Sequence, residues 1–368
     1  MGGLTIGYDA KRLYHNHSGL GNYSRNLIRS LDTFYPENEY VLFNPSTAKI
    51  LFKGANTQEV KPILSNAFYK NMWRQRLVTD QAAKHNVDIY HGLSQELPLG
   101  LRKKNIKSIV SVHDLIFLRF PQHYKMLDRK IYLQKVKSAC KRADLIVAIS
   151  EQTRSDLIDI LKISPSRITV IYQGADPVFW QDHSAQYDAI RQKYNLPDEF
   201  LLFVGTKEKR KRPGMVLQAA QQLNIPVVMV GKATKFWKKH LKDIGGYRHL
   251  YEPYIESTRE LSTLFQMAKI FTYPSVFEGF GIPVLEALIS KTPVITSNVS
   301  CLPEVAGPLS KMVDPLNEAL YTETLEHLWK QENEREQMAE EGYKFAQHFT
   351  DEHLAGLWNN IYHEIAAK

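Results

Sequence analysis

The chain predicts an α/β protein built from two doubly wound, Rossmann-like domains. Three observations carry that prediction. Short apolar strands alternate with helical patterns through most of the 368 residues, the arrangement that yields a parallel sheet covered on both faces. The alternation comes in two sets, separated by a polar stretch. Glycine-rich turns follow strands in both sets, Ser18-Gly19-Leu20-Gly21-Asn22-Tyr23 in the first and Glu278-Gly279-Phe280-Gly281-Ile282-Pro283 in the second. A chain of this length is too long for one ordinary core and suits two.

In the first set, Leu4-Thr5-Ile6-Gly7-Tyr8-Asp9 reads as a strand, and the glycine turn beginning at Ser18 leads into an amphipathic helix running to Leu31. Apolar runs at Tyr40–Phe43, Asp88–Tyr90, Ile109–Val112 and Leu145–Ile149 read as further strands, each short and bounded by polar or turn residues. Ser150 suits a helix cap, because its hydroxyl can accept from an amide of the first turn that has no other partner. Residues 1–175 then form the first domain, 176–198 a polar connection, and 199–349 the second domain. That second set opens at Phe200–Gly205 and continues through Val227–Gly231, Ile270–Tyr273 and Pro293–Thr296. Val284–Ser290 reads as a helix with Pro283 in its first turn, where a missing N–H costs nothing. From Thr322 to Ala367 the periodicity is helical, without a strand signal.

Hydrophobic residues make up 43% of the chain and charged residues 23%, the balance of a globular protein. No apolar run approaches a membrane span and no charged-then-apolar leader opens the chain, so a cytoplasmic protein is expected. Cys140 and Cys301 lie far apart without metal-ligand spacing, and neither a disulfide nor zinc is expected. The net charge of +8 is unevenly placed: residues 1–170 carry +12 and residues 171–368 carry −4. Such polarity points to an anionic partner for the first domain, whether a phospholipid surface, a lipid diphosphate or nucleic acid.

Glu278 and Glu286 stand eight positions apart, with a strand before them and a helix beginning between them. The glycine-rich turn therefore lies at the carboxyl edge of a βαβ unit, where unpaired amides favour an anion. Gly279 and Gly281 let bare backbone approach a ligand. With Glu278 on the loop and Glu286 about a turn into the helix, the two carboxylates reach separated hydroxyls of one elongated ligand, and a nucleotide sugar fits. A second strand, ending at Gly205, is followed by Thr206-Lys207-Glu208-Lys209-Arg210-Lys211-Arg212-Pro213. An Arg supplies a two-pronged contact and a Lys a point charge, both suited to a diphosphate. In the first domain, Ser111-Val112-His113-Asp114-Leu115 closes a strand.

These residues resemble the Glu-x7-Glu signature of the retaining glycosyltransferases of family 4, also called glycosyl transferases group 1, and within them mannosyltransferases. The similarity continues through Asp9-Ala10, Tyr90-His91-Gly92, Ala148-Ile149-Ser150-Glu151, Tyr172-Gln173-Gly174 and Leu302-Pro303-Glu304-Val305-Ala306-Gly307. It implies the GT-B architecture, two Rossmann-like domains facing each other across a deep cleft, with the last helix, about 350–368, packing back on the first domain. It implies catalytic roles for Glu278, His113, Arg210 and Lys211. Donor contacts would come from Gly21, Gly205, Phe280, Gly281, Ile282 and Glu286, with Glu278 accepting from sugar hydroxyls and Glu286 from the ribose. Asp114 and Gly19 would lie on the acceptor side. Lys209 and Arg212 stand where the family more usually has Pro and Asn, leaving open which cation points inward. No cofactor and no metal are implied, because the cations and helix amides would neutralise the phosphates.

The resemblance further implies retaining transfer of a hexosyl group to a glycan or lipid-linked oligosaccharide, in cell-surface polysaccharide or lipopolysaccharide biosynthesis. GDP-mannose is the first expectation for the donor, with a UDP-sugar or dTDP-sugar as alternatives, and no nucleic acid partner is expected. Basic and aromatic residues interleave over Phe68–Arg76 and again over His123–Arg142, which reads either as a surface resting on anionic lipid or as ordinary helix surface. A glycoside hydrolase also uses two carboxylates, but would need no diphosphate clamp. A nucleotide-sugar epimerase on the same architecture would need no acceptor. A dinucleotide oxidoreductase is disfavoured, since Gly19-Leu20-Gly21 lacks the third glycine. A non-catalytic scaffold would account for the basic first half alone.

Overall fold

The computed structural model describes residues 2–47, 50, 52–63 and 66–368, and at residues 67, 68, 71 and 123 the backbone only. Two compact units result, one of Met1–Gly174 with Phe349–Lys368 and the other of Ala175–His348.

The first unit holds a seven-stranded parallel sheet of β1 (Thr5–Asp9), β2 (Glu39–Phe43), β3 (Thr57–Val60), β4 (Ile89–Gly92), β5 (Lys107–Val112), β6 (Leu145–Ala148) and β7 (Ile168–Val170). Their order is β3-β2-β1-β4-β5-β6-β7. The inner strands are apolar along their length because helices cover both faces. From β1 the chain winds outward through β2 and β3, then returns to pair β4 on the other side of β1, with Ile6 opposite Ile89. That reversal makes the carboxyl ends of β1 and β4 a switch point, where ligands of such sheets bind.

Helix α1 (Gly19–Phe34) buries Leu27, Ile28 and Leu31 against this sheet. It begins at Gly19 rather than beyond the glycines, so Gly19 and Gly21 form its first turn instead of a loop before it. A Cβ on Gly21 would stand 1.8 Å from the Asn16 carbonyl oxygen, whereas one on Gly19 would meet nothing. Helix α2 (Met126–Arg142) covers the other face, and α3 (Glu151–Asp159) starts at Ser150, whose hydroxyl accepts from Thr153 N at 3.0 Å. The C-terminal helix, Asp351–Ala366, places Trp358 and Tyr362 in one core with Ile6, Tyr8 and Ile89.

The second unit holds a six-stranded parallel sheet of β8 (Leu201–Val204), β9 (Val227–Val230), β10 (Leu250–Tyr251), β11 (Ile270–Tyr273), β12 (Val294–Ser297) and β13 (Lys311–Val313). Its order, β10-β9-β8-β11-β12-β13, puts the reversal between β8 and β11. Helix α4 (Pro213–Leu223) follows β8, and α5 (Ile282–Ile289) follows β11. The polar stretch 176–198 belongs to this unit rather than to a free connection. Phe179, 1% exposed, packs edge-on to Phe265, and Ile190 is buried on the helix Tyr187–Tyr194. Leu196 is buried as well, at 7% exposed, so a few apolar anchors tie an otherwise largely polar segment to this unit. Among the described residues, no helix is long and apolar enough to cross a membrane.

Candidate active site

The switch point of the second sheet gathers both chemistry-bearing stretches of that unit. The turn after β8 carries Arg210 and Lys211, and the turn after β11 carries Glu278. Because β8 and β11 are paired neighbours, their loops emerge side by side. Lys209–Lys211 forms one tight helical turn, and the four cations of the run separate there. Arg210 and Lys211 turn toward Glu278, with side chains 12% and 14% exposed. Lys209 is exposed, and Arg212 pairs with Glu318 at 2.9 Å. Lys207, which the sequence did not single out, is buried between Glu252, at 2.9 Å, and the Gly231 carbonyl, at 2.8 Å. Its position three residues past the end of β8 was the available signal.

The Glu278 carboxylate is held on one oxygen. Oε1 lies 2.8 Å from Arg210 Nη1 and 3.6 Å from Lys211 Nζ, and accepts from Ser275 Oγ at 2.8 Å and Tyr273 OH at 3.0 Å. Oε2 accepts no hydrogen bond among the described residues. Burial pushes the pKa of this carboxyl up, but the Lys211 and Arg210 charges and the two hydroxyls prevail and hold it below the usual carboxylate range, so it is ionised. Arg210 also contacts Glu208 Oε1 and the Phe277 carbonyl, while the Lys211 ammonium sits 4.9 Å above the Tyr273 ring and donates to its hydroxyl. Tyr273 and Ser275 are thus parts of the site that sequence reasoning missed. Tyr273 was read only as the end of a strand.

Gly205 directly follows β8, beside the Lys211 ammonium. Gly281, at φ +101°, precedes α5, and a Cβ there would press to 2.8 Å from Leu302. Phe280 is buried beside it, and among the described residues the amides of Gly281 and Ile282 donate to no backbone carbonyl. This is the helix start expected of an anion site. Glu286, one turn into α5, differs from Glu278 in having no cation against it among the described residues. Burial, with the nearby Asp176 carboxylate adding, pushes it up to about 8.

In the first unit, His113 follows β5 and is 5% exposed. Its Nε2 lies 2.8 Å from the Leu93 carbonyl, which makes Nε2 the protonated nitrogen, and its ring stands edge-on to Tyr23 with centroids 4.7 Å apart. Burial pushes His113 down to about 4, so the ring is neutral. Tyr23 is held through its hydroxyl by Ser111 at 2.9 Å, and Ser111 in turn contacts His91 Nε2 at 2.8 Å. Asp114 accepts from Ile116 N at 3.0 Å and offers its carbonyl to Gln95 Nε2 at 3.1 Å. Gly21 is set by its approach to Asn16, while Gly19 carries no steric demand. At the end of β1, Asp9 receives the Arg74 guanidinium, which also reaches Glu96 at 3.0 Å.

That last pairing bears on the interleaved stretch Phe68–Arg76. Arg74 is 12% exposed and Trp73 is 2% exposed, so these members of the interleaved Phe68–Arg76 stretch face inward and do not form a lipid-resting surface. The side chains of Phe68, Asn71 and His123 lie outside the described residues. The physical reason is the buried Asp9 carboxylate, which draws the guanidinium into the unit. The stretch on α2 differs: Met126 and Leu127 are each 69% exposed and Tyr132 is 45% exposed.

Comparison with known proteins decides the family. Residues 17–179 match glycosyltransferase family 4, and residues 186–345 match glycosyl transferases group 1. The chain belongs to the family 4, group 1 glycosyltransferases. The transferase is 28% identical over 333 residues to the O-antigen chain mannosyltransferase B of Escherichia coli, a match covering 81% of this chain and 83% of that protein. Its fold matches sucrose-phosphate synthase from Thermosynechococcus elongatus with a TM-score of 0.82 at 17% identity, over 99% of both chains. It also matches Anabaena HepE, solved in complex with UDP-glucose, with a TM-score of 0.75 at 14% identity, over 98% of this chain and 100% of that one. The two parallel-sheet units of the transferase are those of the GT-B glycosyltransferases.

Proposed function

We propose that this glycosyltransferase moves a mannosyl group from GDP-mannose to a growing glycan, with retention of anomeric configuration and without a metal. The observation that carries the donor site is the meeting of Arg210, Lys211 and Glu278 beside the open start of α5. Arg210, Lys211 and the amides of Gly281 and Ile282 would take the diphosphate, stabilising the charge that grows on it as the bond to the anomeric carbon breaks. Glu278 would accept sugar hydroxyls on Oε2, the carboxylate oxygen that takes no hydrogen bond among the described residues. Glu286 would accept from the ribose, and His113 would offer its unprotonated Nδ1 to the donor sugar. The acceptor oxygen forms the new bond to the anomeric carbon on the face the diphosphate leaves, and its proton passes to the departing phosphate oxygen.

The similarity to an O-antigen chain mannosyltransferase supports mannose and a surface-polysaccharide acceptor. The fold likeness to a protein solved with UDP-glucose supports a UDP-sugar as the second reading. Incubation with GDP-mannose, UDP-glucose and a dTDP-sugar, with and without EDTA, tests donor and metal together. Release of GDP with an α-linked product in EDTA is the expected result. Release from another donor alone, or none once EDTA is added, overturns the corresponding part.

The reading includes work at the inner face of the cell membrane. Met126, Leu127 and Tyr132 lie exposed on α2 among Lys125, Arg129 and Lys130, an apolar and basic combination suited to anionic lipid. Flotation with anionic vesicles at low and high salt tests it, and no binding at low salt removes it.

A further inference from the structure

We infer that the first unit carries a second saccharide subsite, a groove beside α2 that holds a neutral sugar of the acceptor glycan away from the reacting end. The inference rests on the transferase reading above and deepens it. A cavity of about 340 Å³ opens between α2 and the segment after β4, within the roughly 300–1,000 Å³ of small-molecule sites. The segment ties it to the site already described. Leu93 accepts from His113, and Gln95 donates to Asp114, while further along Leu99 N donates to the Gln75 carbonyl at 2.7 Å and Arg142 Nη2 to the Leu97 carbonyl at 2.7 Å. One rigidly pinned stretch of seven residues thus has His113 and Asp114 at one end and the groove at the other.

The lining identifies the class of ligand. Glu96 is already engaged by Arg74 at 3.0 Å and by Lys135 at 3.1 Å, so the groove presents no free carboxylate to attract a cation. Lys135 is committed to Glu96, and Arg142 to Ser138 Oγ and the Leu97 carbonyl; the other polar groups at its walls are the amides of Gln75 and Gln134, each able to donate and accept, as sugar hydroxyls require. Leu99 and Ile131, 39% and 40% exposed, offer apolar surface to the C–H face of a ring. Arg74 links Glu96 to Asp9 at the end of β1, so the groove wall is fixed from the switch point of the sheet.

The test compares α-mannotetraose with mannose as acceptor for the full chain and for Gln75→Ala/Gln134→Ala, both exposed positions. The wild type is expected to prefer the tetrasaccharide in kcat/KM, and the double variant to lose about fivefold or more of that preference, the worth of two neutral hydrogen bonds. A variant that keeps the full preference overturns the subsite. A wild type that transfers to neither acceptor counts against the transferase reading instead, and hydrogen–deuterium exchange then decides the subsite alone. Slower exchange over residues 95–100 and 131–142 on adding free α-mannotetraose supports it, and unchanged exchange there overturns it.

Discussion

Arg210 Nη1 lies 2.8 Å from Glu278 Oε1, and among the described residues every ion pair and hydrogen bond to that carboxylate falls on this one oxygen. The pair is largely buried, so each partner is committed to the other until a ligand enters, and Oε2 is left for that ligand.

Glu278→Gln should preserve the shape of the turn yet lower kcat about 100-fold, a loss of the size seen when a charge-stabilising group is removed. Glu278→Ala should add a stability defect of up to about 3 kcal/mol, because the Arg210 guanidinium keeps only Glu208 as counter-charge. Donor turnover and thermal melting separate the two effects. Wild-type turnover in Glu278→Gln would remove the assigned role.

Lys211 and Lys209 are two positions apart and should behave differently. Lys211→Ala should reduce kcat/KM for the donor about 100-fold or more, while Lys209→Ala, an exposed side chain, should stay within about twofold. Steady-state rates for both variants check this, and equal effects would contradict the inward placement of Lys211.

Glu286, raised to about 8, is mostly protonated at neutral pH in the free protein. If the ribose binds its ionised form, the competent fraction grows with pH, and donor Kd should fall about tenfold or more between pH 6.5 and 8.5 and level off above. The linked effect on folding has the opposite sense. The unfolded carboxyl ionises near 4.5, so stability from this group is fully present below that value and lost as pH rises through about 8. Calorimetric titration of the donor at several pH values tests the binding, and Glu286→Gln should abolish the slope.

His91 and His113 predict acid sensitivity in the first unit. His91 is buried between Tyr362 OH and Ser111 Oγ, each at 2.8 Å, and burial, with His113 nearby, pushes it down to about 3. His113 is pushed down to about 4. When unfolded, both take up a proton near 6.5, so their contribution is intact above that pH and drains away as pH falls toward 4 and then 3. Melting temperature should drop from pH 6.5 to pH 4, and His91→Asn should start lower and drop less. An equal pH slope in the variant would assign the acid loss elsewhere.

The sequence by itself determined the two-sheet α/β class, the strands that carry Gly205, His113 and Glu278, and the sites of the two clustered motifs. Strand periodicity and glycine turns are local, and a parallel sheet must present its loops at the carboxyl edge, so Glu278 and the basic run could be placed on loops from their neighbours alone. Only the tertiary structure decided which of four adjacent cations meets Glu278. That choice depends on the pairing of β8 with β11 and on one tight turn that sends Arg210 and Lys211 one way and Arg212 to Glu318. Long-range pairing also decided that Arg74 turns inward to Asp9, 65 positions away, and that Tyr273 and Ser275 share Glu278. Periodicity reports which face of an element is apolar, whereas a buried charge finds its partner through the fold, and no local pattern encodes that distance.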